Sequence, residues 1–262
     1  MKTKRLSSSV FTALTFAAVL SVGTLAACGS NDDPPPEATP VSLSLKKIGG
    51  FETGTLAASE ITAFDADSRR LFVVNGALGT VDVLDLSKPE APVKPATITI
   101  SDIGGAANSV AVHEGLVALA VEANPKTSPG KVAFYDARTL ARLAVVTVGA
   151  QPDMIVFTPD GRQVLTANEG EPNSYGAADS VDPEGSISIV TVNRSGASVS
   201  PSVATADFRA FNSKADALRA AGVRLYGPGA SVAQDLEPEY ITIADDGNTA
   251  WVTLQENNAI AT

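Results

Sequence analysis

The segment Pro152 to Asn168, PDMIVFTPDGRQVLTAN, recurs along this chain and constrains what it can fold into. An apolar, β-rich run (Met154 to Phe157) meets the turn Pro159-Asp160-Gly161, and a second run (Gln163 to Ala167) follows. Asp-Gly between two such runs marks a tight hairpin, because glycine supplies the positive φ the turn demands. The pattern returns at Glu239 to Leu254, with Asp246-Gly247 at the bend. Degenerate copies lie at Glu60 to Asn75 and Asn108 to Glu122.

Every copy has the same neighbours. A β-rich run precedes it: Leu43 to Phe51, Lys94 to Ile100, Leu143 to Val148, Ser202 to Phe208. A polar loop and a further strand follow the first three (Thr80 to Leu86, Lys131 to Tyr135, Ser186 to Val192), introduced by Gly79, Gly130 and Gly185. The first three hairpins lie about 45 residues apart, the period of a four-stranded propeller blade. The expected fold is therefore all-β: an incomplete β-propeller of four-stranded blades near 41–87, 94–137, 141–192 and 202–262, about three and a half in all. A β-sandwich with accidental periodicity is the alternative.

Within each blade the run before the hairpin is expected innermost. The alternating strand after it, such as Val81-Asp82-Val83, is expected as an edge partly in water. One short inserted helix is predicted, capped by Asn212 or Ser213, with Asp216 in its first turn and Gly222 at its end. The fourth blade reaches only the start of its outer strand at Asn257 to Thr262, which predicts the front part of a longer protein.

The first 40 residues carry an address. Lys2, Lys4 and Arg5 precede an apolar stretch, Val10 to Val22, and Leu25-Ala26-Ala27-Cys28 closes it. That is the plan of a secretory signal (residues 1–27), and the tetrapeptide resembles the bacterial lipobox, in which cleavage leaves a Cys to be acylated. Cys28 is the only cysteine, so no disulfide is expected, and lipid on Cys28 would hold the protein at the cell envelope. Gly29 after it resembles the outer-membrane sorting pattern of a Gram-negative cell. Residues 28–40, with three consecutive prolines, read as a disordered tether. Without the leader the chain has 16 basic against 29 acidic side chains, a charge of −13. So acidic a surface argues against nucleic acid and favours metal cations or cationic partners, the extracytoplasmic ligand being unspecified.

Strand direction assembles the candidate site. Hairpins beginning at Glu60, Asn108, Asp153 and Glu239, and strands ending at Asn75, Glu122, Asn168-Glu169 and Gln255-Glu256, put these residues on one face. Two long insertions, Glu169 to Glu184 and Arg209 to Pro238, fall there too, and loops of that length in a compact domain tend to be functional. The candidate metal-ligating carboxylates are Glu169, Glu171, Asp182, Glu184, Asp235, Glu237, Glu239 and Glu256. Oxygen-rich and without Cys or His, the set suits Ca²⁺ rather than Zn²⁺, though no EF-hand spacing is present. Lys126 and Arg224 on the same face are candidate anion contacts. No nucleophile elbow or Walker loop appears. His113 reads as a surface turn residue and Trp251 as core.

Several long segments resemble the bacterial choice-of-anchor I family, also known as mesenchyme-specific cell-surface glycoprotein-like. They are Ser59-Glu60-Ile61 with RLFVVN (Arg70 to Asn75), ANSVAV (Ala107 to Val112), PDMIVFTPDG through ANEGEPN (Pro152 to Asn173), DPEGSISI (Asp182 to Ile189), GVRLYGP (Gly222 to Pro228), and VAQDLEPEYI with AWVTLQENNAI (Val232 to Ile260). The resemblance implies a propeller whose members are anchored in different ways. Members continue where this chain stops, at Thr262. Two functions follow as expectations. One is a surface-anchored binding or scaffold propeller, possible calcium included. The other, implied by alkaline-phosphatase or phytase-like relatives, is a Ca²⁺-dependent phosphatase, with Glu169, Glu171, Glu237 and Glu239 holding cations and Lys126 or Arg224 offsetting phosphate charge.

Overall fold

The computed structural model describes residues 43–56, 58–196 and 198–262. The leader, Cys28 and the tether lie outside them. By its contacts the chain divides at Leu45, and the account below concerns Lys46–Thr262.

Four antiparallel sheets follow one another along the chain, each a meander of consecutive strands. The first holds β1 (Thr62–Asp65), β2 (Arg70–Asn75), β3 (Thr80–Asp85) and β4 (Val93–Ile98). The second holds β5 (Ala106–His113), β6 (Leu116–Glu122), β7 (Pro129–Asp136) and β8 (Arg142–Ala150). The third holds β9 (Pro152–Phe157), β10 (Gln163–Asn168), β11 (Ser186–Ser195) and β12 (Ser198–Asp207). The fourth has three strands, β13 (Tyr240–Ile243), β14 (Ala250–Leu254) and β15 (Ala259–Ala261). Each recurring hairpin is the first pair of a sheet, as in β9–β10.

Each sheet packs its faces against its neighbours, and β6 shows how the sequence encodes this. Val117, Leu119 and Val121 join the core shared with Phe72, Val74 and Val83 of the first sheet. Alternate residues Leu116, Ala118 and Ala120 join the core shared with Ile155, Val164 and Val190 of the third. A strand buried on both faces must be apolar at every position, which is why LVALAV lacks polar alternation. A third core joins Leu165 and Ile187 to Ile241, Val252 and Leu254. Strands β1, β5, β9 and β13 open their sheets and contact one another in succession, which makes them the innermost strands.

The phase of the blades differs from the sequence expectation by one strand. The runs at Lys94, Leu143 and Ser202 do not open the next blade; they close the preceding sheet as β4, β8 and β12. The run Leu43 to Phe51 forms no strand, and Leu43 and Leu45 are exposed. Accordingly β3 is no edge: β4 covers it, and Asp82 is 2 % exposed. That carboxylate accepts from Asn75 Nδ2 (3.1 Å), Thr97 Oγ1 (3.0 Å) and Lys94 Nζ (3.3 Å), partners that offset its desolvation. Trp251, expected in the core, is 41 % exposed on β14.

The glycines that introduce the third strand of each sheet mark close approaches between sheets. A Cβ on Gly130 would lie 2.7 Å from Cγ of Pro152, where β9 begins. One on Gly185 would collide with the Leu236 carbonyl oxygen and sit 2.8 Å from Cδ of Pro238, just before β13. Repeated absence of a side chain there lets each inner strand start cross its predecessor.

The long connection before β13 also differs in detail. A 3₁₀ turn (Arg209–Lys214) leads into α1 (Ala215–Ala220), whose start has no side-chain cap. Asp216 lies in its first turn as expected, and Gly222 follows with φ +96°. Asn212, read as a cap, instead accepts from the backbone N–H of Ala233 at 2.9 Å. A second short helix, α2 (Val232–Asp235), starts with a capping box between Ser231 and Gln234.

Candidate functional site

The starts of the inner strands and the ends of the second strands lie on one face of the sheets. Moving a strand from one sheet to its neighbour leaves its direction unchanged, so the shifted phase does not alter this. Hydrogen bonds tie neighbouring elements together there: Asn108 Nδ2 of the second sheet to the Pro152 carbonyl of the third (3.2 Å), and Gly185 N–H, just before β11, to the Ala233 carbonyl of α2 (2.9 Å).

Carboxylates from separate sheets gather on this face. Glu169, at the end of β10, has its pKa pushed up to about 8, first by burial and then by the charges of Asp153, Glu171, Glu237 and Glu239. Asp153 is raised by burial, Glu60 and Glu122; Glu239 by burial, Asp153 and Glu256. Some of these fields act within the third sheet, as between Asp153 and Glu169, and others cross to its neighbours, as from Glu60, Glu122 and Glu239. Gln151, held at φ +49° just before β9, donates from Nε2 to Glu169 Oε2 (2.5 Å) and Glu171 Oε2 (3.3 Å).

The raised Glu169 pKa makes stability depend on pH with a definite sign. Between 4.5 and about 8 the folded chain holds a proton on Glu169 that the unfolded chain releases. Its contribution is complete below 4.5, declines as pH rises, and is lost above about 8. Discounted for solvent screening of a partly exposed group, the loss is on the order of 1–3 kcal/mol. Glu169→Gln is expected to flatten the dependence of unfolding midpoint on pH between 5 and 9 (, ~range) and to raise the midpoint at its alkaline end. Parallel curves for the two proteins would contradict this.

The two long loops meet beside that ring. Glu237 is 2 % exposed and accepts from Tyr175 Oη (2.8 Å) and Tyr226 Oη (3.4 Å), one tyrosine from each loop. Their rings lie 6.1 Å apart, tilted by 31°. Burial raises the Glu237 pKa, with Glu171 and Asp235 adding to it and the tyrosine hydroxyls opposing. Asp235 accepts from the backbone N–H of Tyr226 (2.7 Å) and of Gly227 (2.6 Å). Gln234 Nε2 donates to the Asp182 carbonyl (2.8 Å).

The other predicted residues fall as follows. Glu184 pairs with Arg209 (2.6 Å). Glu256 pairs with Arg224 (3.3 Å), and Glu171 with Lys126. Both candidate anion contacts are thus engaged by carboxylates. Among the described residues no three His, Cys, Asp or Glu side chains converge as metal ligands. Sequence reasoning overlooked Gln151, Tyr175, Tyr226 and Asn257. A signal existed for two of them, since each long loop contains one Tyr-Gly pair, at 175–176 and 226–227.

Residues 60–262 match the choice-of-anchor I domain. The chain belongs to that family. Its members' setting makes this a cell-surface or extracellular propeller domain. No curated protein matches the chain. Among solved structures, a Bacteroides uniformis protein named as a candidate 6-phosphogluconolactonase is 14 % identical, with a TM-score of 0.51 over 77 % of this chain and 49 % of its own. That likeness shows the propeller fold. A periplasmic gluconolactonase from Pseudomonas aeruginosa is 14 % identical, with a TM-score of 0.46 over 74 % of this chain and 49 % of its own. The chain spans about half the length of these propellers.

Proposed function

We propose that this choice-of-anchor I propeller is held at the cell surface by lipid on Cys28 and binds a cationic partner on its loop-rich acidic face. The observation that carries the reading is the gathering of desolvated carboxylates from separate sheets, with Glu169 pushed up to about 8 by burial and four neighbouring carboxylates. Like charges held together in this way repel, and an incoming cation relieves the repulsion while its own charge steers it to the face. Lys126 and Arg224 neutralise one carboxylate each and leave the ring of Asp153, Glu169 and Glu239 without a salt bridge among the described residues. The same engagement spends Lys126 and Arg224 on carboxylates rather than on a phosphate, and nothing in the arrangement of the described residues supports phosphoester hydrolysis.

The full chain, expressed in a bacterial host fed radiolabelled palmitate, is expected to take up label and sediment with membranes. Cys28→Ala should lose both properties. A fluorescent lysine-rich peptide should bind the purified protein in a salt-dependent manner. Glu171→Lys with Glu239→Lys should weaken it by about tenfold or more, a loss of at least ~1.4 kcal/mol. Asp67→Lys with Asp245→Lys, at turns on the opposite face, should not. Equal weakening by both pairs would reduce the effect to net charge and overturn the assignment of the face; an unlabelled wild type would overturn the anchor.

A further inference from the structure

The first of the two long loops narrows to a neck and then bulges outward between Asn173 and Val181. The same pair closes the neck twice: Asn173 N–H donates to the Val181 carbonyl (3.2 Å), and Val181 N–H donates to Asn173 Oδ1 (2.8 Å). Beyond the neck, Ser180 N–H donates to the Ala177 carbonyl (3.2 Å) and Ser180 Oγ to the Ser174 carbonyl, so these bonds stay within the segment. None of its side chains is buried; Val181 is 53 % exposed and Tyr175 is 48 % exposed. At the tip Gly176 takes φ +73°, with open space where a Cβ would point. Among the described residues a single hydrogen bond leads out of the segment, from Tyr175 Oη to Glu237 Oε1 (2.8 Å). The chain on either side is fastened: Gln151 and Lys126 hold Glu171, and Gln234 holds the Asp182 carbonyl.

Across a half-open polar cavity of about 210 Å³ the segment faces the second loop, with Tyr175, Gly176 and Ala177 on one side, Gly227 to Ala230 on the other, and Glu237 in the same lining. We propose that Asn173–Val181 is a lid that swings on its neck to cover and uncover Glu237, with the Tyr175 hydroxyl as its latch. Opposing effects give the lid two states. Closed, Glu237 is 2 % exposed and accepts the Tyr175 hydroxyl, a hydrogen bond strengthened by the acceptor's charge. Open, the carboxylate regains the water whose loss is costly to a buried charge, and the segment regains conformational freedom. With no buried side chain, the segment has little apolar burial to hold it shut. Segments of this kind open locally far more often than the sheets beneath them unfold.

Asp82 supplies the contrast within the same molecule. It is also 2 % exposed, but its partners Asn75, Lys94 and Thr97 lie on strands of the first sheet, so the sheet itself must come apart to expose it. The two carboxylates are equally buried, and what covers them differs: a hydrogen-bonded sheet over one, a loop with one outward tie over the other.

The test uses the full chain and needs no ligand. Carbodiimide-driven coupling of glycine ethyl ester labels carboxylates that meet solvent, and mass spectrometry reads the rate residue by residue. In the wild type Glu237 is expected to label at least about tenfold faster than Asp82. Tyr175→Phe keeps the ring and removes the latch; it should raise Glu237 labelling about tenfold or more, as loss of a bond to a charged group predicts. Tyr226→Phe removes the longer 3.4 Å bond from the second loop and should raise it less than about threefold. Asp82 should label at one rate throughout. Four results would each overturn the proposal: Glu237 as slow as Asp82 in the wild type, no change in Tyr175→Phe, equal rises in both tyrosine variants, or a parallel rise at Asp82 that shows the whole domain loosening. The lysine-rich peptide enters none of these outcomes, so the lid and the cationic-partner reading stand or fall separately.

Discussion

Phe134→Ala is expected to destabilise the propeller domain by about 3–5 kcal/mol, enough to unfold a large fraction of molecules at physiological temperature. Phe134 is 0 % exposed on β7 and belongs to the core where the second and third sheets face each other. Its neighbours come from both sheets: Leu116, Ala118 and Val132 on its own side, Ile155, Val164 and Val190 across. Sheets that meet face to face cannot close on a lost ring without disturbing their other contacts, so a cavity remains. Leu78→Ala, at a 68 % exposed turn position, is the matched control and should change stability by less than about 0.5 kcal/mol. Denaturant titration of the full-length proteins measures both. A loss below about 1 kcal/mol for Phe134→Ala would mean the two sheets do not share a core.

That core was legible in the sequence, and the reason is physical. A strand sandwiched between two sheets has no solvent side, so KVAFY and LVALAV carry apolar residues on both faces. The hairpins were equally plain, since Gly161 and Gly247 adopt φ +66° and +72° at the Asp-Gly bends. Which sheet a connecting run joins is a different matter. Hydrogen-bond partnership leaves no periodic trace, and the run at Lys94 reads equally well as the opening of one blade or the end of another. A subtler sign was nonetheless present. Pro95 in β4 and Pro201 in β12 cannot donate to a ladder and belong on an outer strand with one free side. Glycine positions were visible without their cause, because the collision that excludes a Cβ at Gly185 comes from Leu236 and Pro238, about fifty residues away in sequence (a separation typical of neighbouring repeats). The carboxylate face followed from strand direction alone. The cavity beside it did not, because it depends on two irregular loops whose side chains obey no repeat.

Asn257→Ala should cost about 2–4 kcal/mol and do so by a local route. Asn257 is 0 % exposed, between β14 and β15, and its amide serves three points of the long connection before β13. Oδ1 accepts from Glu237 N–H (3.0 Å), while Nδ2 donates to the carbonyls of Arg224 (3.0 Å) and Asp235 (2.5 Å). Alanine leaves one donor and two acceptors unpaired in a place water reaches poorly, and each such group costs about 1–3 kcal/mol before relaxation. The damage should concentrate where those groups lie. Hydrogen exchange at Glu237 and along α2 is expected to accelerate strongly, while β6 and β7, two sheets away, keep their protection. Asn257→Asp sharpens the argument. It preserves the acceptor for Glu237 N–H, loses the two donors, and adds charge beside buried Asp235 and Glu237. At neutral pH it should be at least as damaging as alanine, and it should recover part of the loss as acid protonates the new carboxyl and restores one donor. Uniform acceleration of exchange across all four sheets would instead make Asn257 a support of the whole domain rather than of the loops that form the site.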